Sequence, residues 1–312
     1  MVILNYLIIC FIFGTTFFAI KVGIDAGVDP IFSASLRFIA AGLMVVLFFK
    51  IRKVKFPSIT VMKQLIIVGF CITFGTFSTL YWAEQYIPSG LAAILSAFGP
   101  IMVLLLNKYD EKSKLSSIQV LGLAASLGGV ILIAFPGVEG VVNSLWIIAS
   151  IAVVLSQFFY SFGTIRSKKI MAEKSKISPF LLNGIQMLFG GIMLLIFSIV
   201  VEKPTLTALT DTSVSLSLLY LIVFGSIMGH GLFYWLVNKT NPVFPSTWLY
   251  VSPIIAMVLG ITFLDEAIQT LSIVGSLMVL VGVFLTNQDT LVEYYRKGTL
   301  FKVNHRSGGN LR

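Results

Sequence analysis

The sequence predicts an all-α membrane protein: ten transmembrane helices arranged as two inverted five-helix repeats. Three observations lead there. Only 11% of the 312 residues are charged while 57% are apolar, and the mean hydropathy is +0.97. An ordinary soluble domain carries roughly 25% charged residues, so lipid has to solvate most of this chain's surface. The apolar residues also come in runs of about 20, the length a helix needs to cross a hydrocarbon core of roughly 30 Å, against about 10 for a barrel strand. Every backbone N–H and C=O in lipid needs a partner within the protein, and for runs of that length the solution is a helix. Finally, the two halves of the chain echo each other.

The runs lie at 2–24, 31–49, 64–86, 88–107, 116–135, 141–165, 179–201, 213–237, 243–263 and 269–287. Each break carries residues that lipid or a helix rejects: Asp29-Pro30, Lys50 to Pro57, Ile87-Pro88, Asp110 to Lys114, Pro136-Gly137, Arg166 to Ser178, Glu202-Lys203-Pro204, Asn241-Pro242 and Asp265-Glu266. Met1-Val2-Ile3-Leu4 has no basic segment, so the first run reads as a retained span and not a cleaved signal. The polar, basic tail from 288 is expected to form a short helix through Tyr295 and then to lack the apolar surface needed for packing. The expected divisions are a first repeat at 1–137, a second at 138–287 and a tail at 288–312.

The formal net charge of +9 would raise nucleic acid as a partner of a soluble protein. Here the basic residues mark orientation instead. With the N-terminus in the cytoplasm, 19 of the 22 Lys and Arg fall in cytoplasmic segments, Lys21 and Lys203 fall outside, and Arg37 lies within a span. That asymmetry places both termini in the cytoplasm and supports an even number of spans.

The repeat is read from ordered matches. Tyr81-Trp82 pairs with Tyr234-Trp235, Pro100 with Pro253, Gly122 with Gly275 and Gly129-Val130 with Gly282-Val283, all 153 residues apart. Pro30 pairs with Pro179, Arg37 with Gln186 and Gly42 with Gly191, all 149 apart. Asp110-Glu111 recurs as Asp265-Glu266 with a slip of two. Five spans per half is an odd number, so the halves enter the membrane in opposite senses. Inverted repeats of this kind are an architecture of alternating-access transporters, with the site at the repeat interface. A duplicated scaffold or sensor that moves nothing is the alternative.

These residues resemble the ten-helix permeases of the drug/metabolite transporter superfamily, of the EamA type, over about residues 3–287. Gly14-Thr15-Thr16-Phe17 with Lys21 is similar to the first-helix signature of that family, with Phe13 where the family usually has Trp. Pro30 with Arg37 fits the second helix. The fourth-helix pattern Ala92-Ala93-Ile94-Leu95 to Pro100, then Glu111, Gly122 and Gly129-Val130, returns as Tyr250 to Pro253, Glu266, Gly275 and Gly282-Val283. The resemblance implies two five-helix bundles around a central cavity and export of amino acids or related metabolites.

Candidate site residues follow from polar groups inside apolar spans. Arg37 costs roughly 3 kcal/mol on insertion scales; it reads as a cavity residue that pairs with a carboxylate or substrate anion, or as a side chain snorkelling to the interface. Glu84 shares an i, i+4, i+7 face with Phe77 and Tyr81; it reads as a site for an ammonium group or a proton, or as part of an outer clasp with Arg37 or Lys21. His230, with Tyr234 one turn below, reads as a substrate or proton contact, or as a neutral ring hydrogen-bonded to a neighbouring helix. Thr15, Gln157, Tyr160 with Thr164, and the polar-tipped aromatics Tyr81, Trp82, Tyr234, Trp235 and Trp248 complete the expected wall of an aromatic cavity, the alternative for each aromatic being packing or an interfacial belt. Trp248 and Tyr250 lie close to the start of the ninth span. Pro100 and Pro253, at matching places in spans four and nine, read as hinges or static bends. Gly128-Gly129 and Gly190-Gly191 suit close helix contact, and Glu111 and Glu266 read as structural.

An enzyme is not indicated. There is no phosphate-binding Gly-x4-Gly-Lys-Ser/Thr loop and no His-Glu-x-x-His. Cys10 and Cys71 sit in apolar runs with no histidine nearby, so neither a disulfide nor a metal site is expected. Ser226 and His230 are four apart on one helix but lack the surroundings of a nucleophile. A channel would need rings of charge or a carbonyl filter. The expected partners are a small-molecule substrate and the lipid bilayer, with no cofactor, no metal and no nucleic acid; energy coupling reads either as proton antiport through Glu84 or His230, which adds protons as a coupling ion, or as facilitated diffusion. The absence of targeting segments points to a bacterial inner membrane.

Overall fold

A computed structural model describes residues 1–134, 143–173, 177–263 and 270–296. The breaks at Pro136-Gly137 and Asp265-Glu266, the repeat boundary at 137/138 and the tail beyond Arg296 lie outside the described residues. Among the described residues, leaving aside a short 3-10 turn at Thr207–Thr210, ten helical segments follow in order: α1 (Val2–Asp25), α2 (Pro30–Ile51), α3 (Ile59–Ala83), α4 in two pieces (Ser89–Ser96 and Gly99–Asp110), α5 (Ser117–Ala134), α6 (Ser144–Glu173), α7 (Pro179–Val201), α8 (Thr212–Lys239), α9 in two pieces (Val243–Ser246 and Trp248–Phe263) and α10 (Thr270–Arg296). Among the described residues eight helices are long and apolar enough to cross a membrane, and Ser117–Leu132 and Val243–Ile255 are shorter apolar ones.

The helix ends follow local chemistry. Pro30 and Pro179 each occupy a first helical position, where the missing N–H costs nothing. Asp211 accepts hydrogen bonds from Ser213 and Val214 at the start of α8, the usual work of an N-cap. The start of α2 is capped from a distance: the carboxylate of Glu202, just past α7, accepts from Ile31 and Phe32 N–H at 2.8 and 2.9 Å. The sixth helix overruns its expected end at 165 and continues to Glu173. Its Arg, Lys, Met, Ala and Glu residues are good helix formers once lipid no longer selects, and Lys168 donates to the carbonyls of Asn238 and Thr240 at the end of α8, while Lys169 pairs with Asp110.

The two most extensive interfaces are α2 against α7 and α5 against α10, each joining corresponding helices of the two repeats. Both depend on glycine. A Cβ on Gly42 would meet the backbone of Leu188 and Gly184 at 2.7 and 2.8 Å, and one on its counterpart Gly191 would meet Ile39 N at 2.8 Å. At the other interface a Cβ on Gly129 would lie 2.5 Å from Gly275 O, and one on Gly282 would lie 2.5 Å from Gly122 O. Close backbone approach of this kind drives helix association where lipid removes the hydrophobic incentive. In both pairs the contacts read the same from either repeat with the helices antiparallel, as an axis in the membrane plane requires. Gly190 also contributes, against Gly69 and Thr73, whereas Gly128 meets only the end of Met278. Large apolar side chains such as Phe11, Phe18, Leu47, Ile196 and Leu277 are exposed on the outside of the bundle, a surface suited to lipid.

Candidate functional site

Helices α3 and α8 each carry a π-helical stretch, Gly69–Gly75 and Leu221–His230. Their starts, 69 and 221, differ by 152, close to the repeat offset of 153. The extra residue per turn in a π segment redirects the side chains that follow it, and such segments recur at functional sites. Here they send Ile72, Thr76, Phe77 and Leu80 from α3, and His230 and Phe233 from α8, toward one central cavity. Helix α1 supplies Phe13, Thr16, Phe17 and Ile20, α2 supplies Arg37, and Ser96, Gln157, Tyr160, Trp248 and Leu249 close the rest. The cavity holds about 50 Å³. Organic ligands occupy pockets of roughly 300 Å³ and upward, so this conformation is closed around the site.

Arg37 is 1% exposed. Its Nε donates to Ser226 Oγ at 2.8 Å and its Nη1 to the Tyr81 hydroxyl at 3.1 Å. Phe38 and Phe77 present ring faces 4.7 and 5.2 Å from the guanidinium carbon. Snorkelling is therefore not its role; it turns inward. The matched position in the other repeat, Gln186, accepts a hydrogen bond from Thr73 Oγ1 at 2.8 Å. Thr73 and Ser226 are 153 residues apart and each lies in its π segment. The two bonds are thus a symmetry-related pair, each crossing from one repeat to the other. From the α2–α7 packing register, Arg37 and Gln186 differ in height by six residues, about 9 Å of helix, on opposite sides of the bundle's middle.

His230 meets the edges of Phe13, Phe38 and Phe77 at centroid distances of 5.0, 6.0 and 5.7 Å. It makes no hydrogen bond to a neighbouring helix among the described residues, so the expected alternative of a hydrogen-bonded structural ring is not what holds it. Trp248 stacks at a tilt on Phe13 at 4.5 Å and donates Nε1–H to the Tyr160 hydroxyl at 3.4 Å. It is a buried wall residue and not a member of an interfacial belt; Tyr250 is buried too. Gln157 sits in the wall against Gly99, where a Cβ would come within 2.7 Å of its Oε1.

Other expected residues stand elsewhere. Thr15 faces the α1–α8 seam and bonds the Tyr220 hydroxyl at 2.5 Å; its neighbour Thr16, turned by about 100°, is the one in the wall. Tyr81 is fully buried and positions Arg37 from behind. Its counterpart Tyr234 is also buried and accepts from Ser167 at 3.2 Å. Trp82 packs on Tyr86 at 5.2 Å, away from the cavity, and Trp235 is half-buried outside the cavity wall. Glu84 is wholly buried, and neither carboxylate oxygen has a hydrogen-bond partner among the described residues. The expected clasp does not form through its carboxylate: Lys21 binds the Glu84 main-chain carbonyl at 3.0 Å and pairs with Asp25 at 2.9 Å. Pro100 is the second residue of the second piece of α4, just after the break at Ala97–Phe98, whereas Pro253 lies inside a continuous piece of α9. The carbonyl of Gly99 beside the α4 break is taken up by Ser161 at 3.3 Å.

Cys10 and Cys71 are buried free thiols, and no group of His, Cys, Asp or Glu among the described residues is arranged for a metal. Comparison with known proteins decides the family: the model of the EamA-like transporter family matches residues 1–135 and again 147–288. The chain belongs to that family. Its members are transporters and not enzymes, and the chain is a multi-pass membrane transporter of small molecules. It is similar to the uncharacterized inner membrane transporter YedA of Escherichia coli, at 28% identity over 91% of this chain and 88% of that protein. It is also similar to PecM of Dickeya dadantii, at 24% over 92% of each, and to PagO of Salmonella typhimurium, at 26% over 90% and 91%. A crystal structure superposes with a TM-score of 0.73 at 14% identity, over 93% of this chain and 97% of the other, which speaks for the fold alone.

Proposed function

We propose that this EamA-like transporter exports small organic metabolites, amino acids or related compounds, by alternating access of its central cavity. The observation that carries this reading is the pair of matched bonds, Arg37–Ser226 and Thr73–Gln186, that tie the two repeats together on opposite sides of the bundle's middle, with Arg37 in the wall of a closed cavity. Breaking one while keeping the other opens the bundle toward one side only. Pro100 and Pro253 act as the hinges beside it. The repeats are taken as 1–137 and 138–287, with 288–312 as a basic tail, and the strong bias of Lys and Arg supports a cytoplasmic location for both termini. A bacterial inner membrane is in keeping with the description of YedA.

Protons are the proposed coupling ion. Glu84, buried without a donor, and His230, in the cavity wall, are the groups able to exchange one. Reconstitution into proteoliposomes tests the proposal: an imposed pH gradient drives accumulation of substrate above equilibrium, and His230→Ala or Glu84→Gln abolishes the accumulation while leaving exchange. Accumulation that never exceeds equilibrium in the native protein would replace coupling by facilitated diffusion.

A further inference from the structure

The two cross-repeat bonds look alike but differ in charge, and that difference bears on what the cavity takes. At the Thr73 side a neutral amide, Gln186, meets a hydroxyl in the opposing π segment. At the Ser226 side the same place is filled by a guanidinium. A neutral side chain evidently suffices for the bond between repeats, so the positive charge of Arg37 is surplus to it. The charge also lacks a contact partner: no carboxylate among the described residues stands within ion-pair distance of Arg37, and Glu84, just past α3, acts on it through space without a hydrogen bond or ion pair. The bonds of Arg37 to Ser226 and Tyr81 use two of the five guanidinium N–H groups. Phe38 and Phe77 offer ring faces to it, which favour a cation without neutralising it. Gly225 keeps the other arm clear, since a Cβ there would lie 2.9 Å from Nη2. A buried cation is costly unless paired, and here no carboxylate among the described residues pairs with it, while the charged group forms part of the cavity wall.

We infer that the cavity selects organic anions: a carboxylate bound by the unused N–H groups of Arg37, carried on an apolar or aromatic body that lies against Phe13, Phe17, Phe77 and Trp248. Among the described residues the cavity wall contains no acidic side chain to receive an ammonium group, so acids lacking an amine are preferred over the zwitterions of the same skeleton, and amines are excluded. This inference rests on the reading of the cavity as the transport site and, within the small organic metabolites proposed for it, moves the preferred class from amino acids to related carboxylic acids without the amine.

The test uses the full-length protein in detergent and three probes of one skeleton: 3-phenylpropionate, phenylalanine and 2-phenylethylamine. Thermal unfolding is followed against the concentration of each. The carboxylate is expected to stabilise at a concentration about tenfold lower than the zwitterion, and the amine not at all. Arg37→Gln retains a side chain able to reach Ser226, as Gln186 reaches Thr73, and is expected to weaken the carboxylate by about tenfold or more while abolishing the preference. Equal or better stabilisation by phenylalanine or the amine, no stabilisation by any of the three, or an unaltered response of a folded R37Q protein overturns the inference. The native protein alone decides the charge preference if R37Q fails to fold. Saturable transport of a neutral or cationic solute in proteoliposomes would sink the anion reading and leave alternating access standing, whereas a protein that binds the carboxylate but carries nothing would sink the transport reading alone.

Discussion

Thr73→Val removes one hydroxyl from the bundle and keeps the shape of the side chain. The hydroxyl donates to Gln186 Oε1 at 2.8 Å, and the residue is fully buried. Interhelical hydrogen bonds in membranes are worth about 0.6 kcal/mol on average and up to about 1.7 kcal/mol. That range corresponds to roughly 3- to 20-fold in a conformational equilibrium. The bond lies toward the side of the bundle from which α1 starts, and its loss favours the state in which the repeats part on that side. Ser226→Ala does the same for the opposite side. The assay is labelling of a single cysteine at Ser96, in the cavity wall, with Cys10 and Cys71 replaced, by an impermeant maleimide applied to either face of oriented vesicles. T73V is expected to speed labelling from the α1-start side by roughly 3- to 20-fold, and S226A from the other. Acceleration from both faces by either variant, or from neither face by both, would refute the idea that the two bonds are opposed latches.

Four further outcomes follow from the packing and the site. Gly282→Ala places a Cβ within about 2.5 Å of Gly122 O and Ser126 N, and is expected to cost roughly 1–3 kcal/mol, read as a lower unfolding midpoint in detergent. Gly128→Ala, whose Cβ meets only the Met278 methyl at 3.5 Å, should leave the midpoint unmoved. Glu202→Ala strips two N–H partners from the first turn of α2, a loss of about 1–2 kcal/mol that Glu202→Gln partly restores in the same unfolding assay. His230→Ala opens space among Phe13, Phe38 and Phe77 and should change both transport rate and its pH profile; an unaltered profile removes His230 from the coupling scheme.

Much of the bundle was legible in the sequence because lipid imposes length and composition on every span. Segment ends marked by Asp29-Pro30, Ser178-Pro179 and Asn241-Pro242 hold to within a residue or two. Five expected wall residues, Arg37, Gln157, Tyr160, His230 and Trp248, do converge on one cavity, since a polar group in an apolar span has to face inward. The distinction between Thr15 and Thr16 was not legible: α1 is apolar on all faces, so its composition does not say which side looks at the cavity. The π segments leave no mark on hydropathy because they alter the hydrogen-bond register and not the residue types. Nor did the run of basic residues after 165 reveal that α6 continues into water, where charge no longer ends a helix. Glu202 reads as a break in the sequence, and its role in capping α2 depends on tertiary contact alone.

The central claim is that solute crosses through the cavity between the two inverted halves. It is tested most directly by exchange of labelled carboxylates and amino acids in proteoliposomes containing Ser96→Cys on a background without Cys10 and Cys71, before and after treatment with a bulky thiol reagent. The account predicts saturable exchange, competed by analogues, that stops once Cys replaces Ser96 and is modified, and that continues in treated protein with serine at 96. Exchange at the same rate before and after complete modification would contradict it.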